Sequence, residues 1–136
     1  MDTASQILVV GGTCILMYGL LLGIPMIVAR GRSPRPPHYL VAAHLAAIIQ
    51  GGVLLALTVA VEFSVLPAGW EAGAAGALVG GIVLFDLGLT VNWLQGVKDS
   101  FAENALGGKI SALGLPFVLG GAGILLVGVI AALFHV

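Results

Sequence analysis

A few polar side chains stand inside long apolar runs of this chain and are its candidates for chemistry. They are His44, Gln50, Thr58, Asp86, Thr90 and Asn92, with Tyr18 and Trp93 as aromatics that carry a polar handle. A polar or ionisable group at bilayer depth is costly, so each one needs a partner or a task. His44 is flanked by Ala42, Ala43, Ala46 and Ala47, which leaves room for something bulky to lie flat against its helix. A neutral imidazole in such a setting is a good ligand for haem iron. It is also a residue that hydrogen-bonds across helices, and composition leaves both readings open. His38 falls in a loop and His135 at the terminus, so a bis-histidine haem within one chain is not expected. A single axial histidine leaves the other face of the iron free for chemistry. Asp86 reads either as a carboxylic acid bonded to a neighbouring helix or as a group that orients His44 or a substrate. At a rise of about 1.5 Å per residue, His44, Gln50, Asp86 and Tyr18 fall in one layer, with Asn92 nearer the headgroups. Asp86, Thr90 and Trp93 share a helix face at i, i+4 and i+7. Cys14 reads as a small buried hydrophobe. Arg30, Arg32 and Arg35 are topology signals that could also pair with haem propionates.

The elements that must position these residues follow from composition. Of 136 residues, 60% are hydrophobic, 21 are glycine and 8% are charged, against about 25% charged in an ordinary globular chain. Four apolar runs of bilayer length lie at about Ile7–Ala29, Tyr39–Val61, Ala72–Leu94 and Ala112–Phe134. Among the charged residues only Asp86 falls inside them. The runs lack strand alternation, and a run in hydrocarbon must satisfy its own backbone, so each is expected to be a helix. The expected fold is an all-α membrane protein, one domain forming a four-helix up-down bundle. The first run lacks a basic start and is too long for a cleavable signal. Arg30, Arg32, Arg35, Lys98 and Lys109 lie in the first and third loops, which predicts that these loops are cytoplasmic and both termini face the other side. The third loop, Gln95–Ile110, has room for a short interfacial helix.

Other chemistries are excluded. A net charge of −1 offers no basic stripe for nucleic acid. One cysteine permits no internal disulfide or multi-cysteine metal site. No phosphate-binding glycine loop, no serine–histidine–aspartate set, no HExxH motif and no ring of like charges for a pore is present.

Glycine at small-xxx-small spacing lets membrane helices approach closely. Gly19 and Gly23, Gly69 and Gly73, and Gly76 and Gly80 fit that spacing, and Gly114, Gly121 and Gly128 line one face of the fourth helix. These faces are expected to pack within the chain or to join copies of it. So thin a bundle would build a small-molecule site more easily between copies, which argues for a homo-oligomer.

At Ala43-His44-Leu45, followed by Gln50-Gly51-Gly52, and at Val91-Asn92-Trp93-Leu94, the chain resembles the hydroxylaminobenzene mutase family, which is distantly similar to styrene oxide isomerase. The resemblance extends in pattern from about His38 to the end of the fourth helix. This chain carries Gln50 where asparagine is expected in the relatives. The resemblance implies haem b held by His44, a homotrimer in the bacterial inner membrane, and ferric iron acting as a Lewis acid on a small aromatic substrate. It matches Gln50 to a polar residue near the reacting centre and Asn92 to an asparagine in the third helix of both families. Tyr18 and Asp86 join them as candidate catalytic residues, and Arg35 as a candidate haem contact. The implied reaction converts an arylhydroxylamine to a 2-aminophenol, or in the isomerase variant an aryl epoxide to an aldehyde. A haem electron-transfer subunit and a structural membrane protein are the alternatives outside this class.

Overall fold

A computed structural model describes residues 1–134; His135 lies outside the described residues. The chain forms four helices, α1 (Thr3–Arg32), α2 (His38–Glu62), α3 (Ala68–Leu94) and α4 (Leu106–Phe134). Each is long and apolar enough to cross a membrane. Large apolar side chains cover the outer faces, Ile24, Ile49, Leu119 and Leu126 among them. Such a coat suits acyl chains and would be a liability in water.

The helices begin and end for local reasons. Asp2 caps α1, its carboxylate accepting from the Ser5 backbone N–H at 2.6 Å. That bond holds the Asp2 carboxyl below its usual 3.8. Arg30 and Arg32 occupy the last turn of α1, where cations favour the negative end of the helix dipole. Pro37 and Pro67 precede α2 and α3, supplying fixed φ angles at the entry turns. Helix α1 runs on through Pro25 and α4 through Pro116.

The bounds differ from the sequence expectation at several places. Helix α4 begins at Leu106, so Lys109 lies in its first turns and not in a loop. The remaining connection is a set of turns with no helix of its own. His38 is the first residue of α2, its ring edge-on to Tyr39 at 5.0 Å. Glu71, expected outside the runs, lies in α3 and is buried.

Successive helices run antiparallel, but they do not close a ring. Helices α3 and α4 pack most intimately, then α1 and α2; α3 also meets α1 and α2, while α4 touches α2 only slightly. Among the described residues α1 and α4 do not meet. The α3–α4 seam is built from small residues seven apart: Ala74, Gly81 and Gly88 face Gly121, Gly114 and Gly107. The α1–α2 seam repeats the device, with Gly12 against Gly51 and Gly19 against Ala47 and Ile48. By contrast Gly69, Gly73, Gly76 and Gly80 face open space and do not pack within the chain. The core is correspondingly thin, centred on Leu8, Ala47, Leu54, Ala75, Leu78 and Leu125.

Candidate functional site

His44 owes its position to the α1–α2 seam. A Cβ on Gly19 would fall 2.9 Å from the backbone nitrogen of Ile48, so only glycine lets α2 come this near. The approach brings the Gly19 carbonyl oxygen to 2.7 Å from His44 Nδ1. A carbonyl only accepts, so Nδ1 carries the proton, and in the neutral ring Nε2 keeps its lone pair. Histidines that ligate metals commonly anchor their other nitrogen in this way. One turn along, a Cβ on Gly23 would sit 3.5 Å from His44 Cε1. Gly23 therefore leaves that edge of the ring uncovered.

The half-buried His44 lines a groove of about 580 Å³ between α1 and α2. Leu20, Ile24, Ile27 and Val41 make it apolar, and among the described residues Arg30 is the only charged one lining it. Leu20, Gly23, Ile27 and Arg30 follow one another at helical spacing along α1. That spacing is the signal that could have selected Arg30 from the three arginines of the turn. Arg35 lies exposed beyond the helix and does not line the groove; its backbone N–H and carbonyl pair with the Ser33 hydroxyl.

Tyr18 and Asp86 belong to a different place. They line a crevice of about 220 Å³ between α1 and α3, together with Cys14 and Val83. The Thr90 hydroxyl donates to the Asp86 backbone carbonyl at 3.0 Å, so it accepts from the Tyr18 hydroxyl, its partner on α1. Asp86 is 2% exposed, and neither of its carboxyl oxygens has a partner among the described residues. Cys14 is exposed here and not buried as its small size suggested.

Gln50 is half-buried on α2 and its Oε1 also lacks a partner among the described residues. Thr58 donates to the Leu55 carbonyl of its own helix at 2.7 Å. Asn92 is 1% exposed, its Oδ1 beside Gly107 and without a donor among the described residues. Trp93 packs beside Leu22, Leu40 and Ala43.

The expected layer therefore divides within the chain. His44 opens on the α1–α2 groove and Tyr18 with Asp86 on the α1–α3 crevice, and no lining residue is shared. Neither Gln50 nor Asn92 lines the His44 groove.

Among the described residues no three or more His, Cys, Asp or Glu side chains gather as a metal cage. A haem asks less of the chain, because the porphyrin supplies the equatorial nitrogens and the protein an axial ligand. One imidazole with a free Nε2, an apolar wall and a cation toward the helix end fit that group. The chain matches no family model, no curated protein and no solved structure.

Proposed function

We propose that this chain is a membrane-embedded haem enzyme that rearranges a small aromatic substrate without net oxidation. One observation carries the reading: His44 Nδ1 is anchored on the Gly19 carbonyl at 2.7 Å, which leaves Nε2 as a ligand facing an apolar groove. The reaction, the homotrimer and the bacterial inner membrane rest on the resemblance at His44–Gln50 and at Asn92–Trp93. The arginines of the first loop, with Lys98 and Lys109 at the same end of the bundle, support a cytoplasmic position for the first and third loops.

Bound in the groove, ferric haem would supply a Lewis acid able to polarise an N–O or C–O bond. The chain's own residues do the rest. His44 binds through Nε2, and Gly19 fixes its tautomer. Arg30 is placed to meet a carboxylate at the membrane surface, in the role sequence reasoning gave to Arg35. Leu20, Ile24 and Ile27 keep water from a cation formed on the substrate. Tyr18, Gln50, Asp86 and Asn92 lie away from this groove in a single chain, so the reading rests on His44.

The test is the absorption spectrum of protein purified in mild detergent. The proposal expects stoichiometric haem with a Soret band that His44→Ala abolishes, and conversion of phenylhydroxylamine to 2-aminophenol. A colourless wild type with normal helicity would leave His44 as a clamp between α1 and α2 and end the reading. Styrene oxide turnover without hydroxylamine turnover would select the epoxide reaction. Met26 lines the same groove, which favours a second reading, a redox haem with thioether and imidazole ligands. That reading expects a low-spin spectrum that Met26→Leu converts to high spin.

A further inference from the structure

The third loop roofs a third cavity, independent of His44. This cavity, of about 560 Å³, lies between α3, α4 and the start of α2. Phe85, Leu89, Ala112 and Leu115 make its interior apolar. Tyr39 and Lys109 stand on its wall, and among the described residues Lys109 is the only charged group lining it.

Its polar lining holds donors and one vacant acceptor, the buried Asn92 Oδ1, which has no partner among the described residues. The Tyr39 hydroxyl accepts from the Ser100 backbone N–H at 3.0 Å, which leaves its own proton to give. The nearby carboxylates are occupied elsewhere. Glu103 accepts from the Lys98 and Asp99 backbone N–H groups at 2.9 and 3.1 Å. Asp99 accepts from Phe101 and Ala102 at 2.9 and 3.2 Å. Both thus hold the loop in shape, and neither lines the cavity. The cavity is therefore cationic and donor-bearing at one end and oily at the other, at the edge of the span.

We propose that this cavity binds a single-chain amphiphile with an anionic head, Lys109 and Tyr39 holding the head and Phe85, Leu89 and Leu115 the chain. A carboxylate or a phosphate monoester meets the same donors. A cavity of this size suits one small ligand and not the paired chains of a bilayer phospholipid.

The test uses the full chain in phosphatidylcholine nanodiscs, with displacement of bound cis-parinaric acid as the readout. Decanoate and decyl phosphate should displace it, whereas decylamine should not. Lys109→Gln should weaken decanoate about tenfold, the loss of one charge-assisted hydrogen bond. Lys98→Gln, whose side chain lies outside this cavity, should change nothing, and helicity of both variants is checked by circular dichroism. Tyr39→Phe, which keeps the ring, should weaken decanoate severalfold. Absence of parinaric acid binding, equal displacement by decylamine, or equal loss in both lysine variants would overturn the proposal. So would nanodiscs rich in phosphatidylglycerol that abolish binding, since they would identify a two-chain lipid as the occupant.

Discussion

Gly81 and Gly114 face each other so closely that a Cβ on Gly81 would stand 2.7 Å from the Gly114 carbonyl oxygen. The obstacle is backbone, which cannot rotate aside. Gly81→Ala should therefore push α3 and α4 apart and cost about 1–3 kcal/mol, the usual penalty of overpacking. Gly120→Ala, on the same helix as Gly114 but facing open space, should be neutral or slightly stabilising, because alanine is the better helix former. Unfolding in mixed micelles, followed by circular dichroism, compares the pair.

Gly23 offers a graded test of the His44 groove. A Cβ there would make ordinary contact, 3.5 Å from His44 Cε1, so Gly23→Ala should keep the Soret band. Gly23→Phe fills the space beside the ring and should abolish the band while the His44–Gly19 bond and the helicity survive. Absorbance per mole of protein gives the answer. Retention of full haem in Gly23→Phe would place the cofactor elsewhere.

Tyr18 and Thr90 tie α1 to α3 through their hydroxyls. Tyr18→Phe should cost about 0.6 kcal/mol, the average for such bonds between membrane helices. Thr90→Val should cost a similar amount, and the double variant little more than either alone. A double-mutant cycle on unfolding free energies measures that coupling.

Asp86 should behave in the opposite way. Its carboxyl oxygens are buried and have no partner among the described residues, and a buried polar group left without a hydrogen bond costs about 1–3 kcal/mol. Asp86→Leu should therefore leave the fold as stable or make it more so. A large loss of stability, read from the same unfolding curves, would mean that the carboxyl has a partner in the membrane that the isolated chain lacks.

Asp2 links α1 to pH. Its carboxyl is lowered from 3.8 because the charged form accepts from Ser5. A carboxylate depressed on folding contributes fully above its unfolded value and loses that contribution as the pH falls through its folded value. The first turn of α1 should be firm at neutral pH and loosen on strong acidification. The Ser5 amide resonance should report the transition, and Asp2→Asn, which still caps, should remove it.

The helices were legible because their causes are local: an apolar run of bilayer length forces helix whatever its neighbours do. Lys109 is the limit of that rule, since a charge near a helix start reads as loop although α4 begins at Leu106. Small-xxx-small spacing identified glycines without identifying their face. Gly19 and Gly23 do meet α2, Gly69 and Gly80 meet nothing among the described residues, and the Gly81–Gly88 face has no two glycines at that spacing. The 1.5 Å rise orders residues along a helix, but rotation about the helix axis is not legible in the sequence. Rotation is what sends His44 to one groove and Asp86 to another, and it is set by close approaches such as Gly12 to Gly51, which depend on both helices at once.

Helix α4 leans almost wholly on α3. Its 29 residues would span about 44 Å if upright, more than a hydrocarbon slab of about 30 Å can accommodate. Tilt, or end turns such as that of Lys109 reaching into the headgroups, takes up the excess, and α3 is the neighbour that chiefly constrains it. Lateral pressure and lipid length would thus reach this protein first through α4, making its pose a gauge of the membrane that surrounds it.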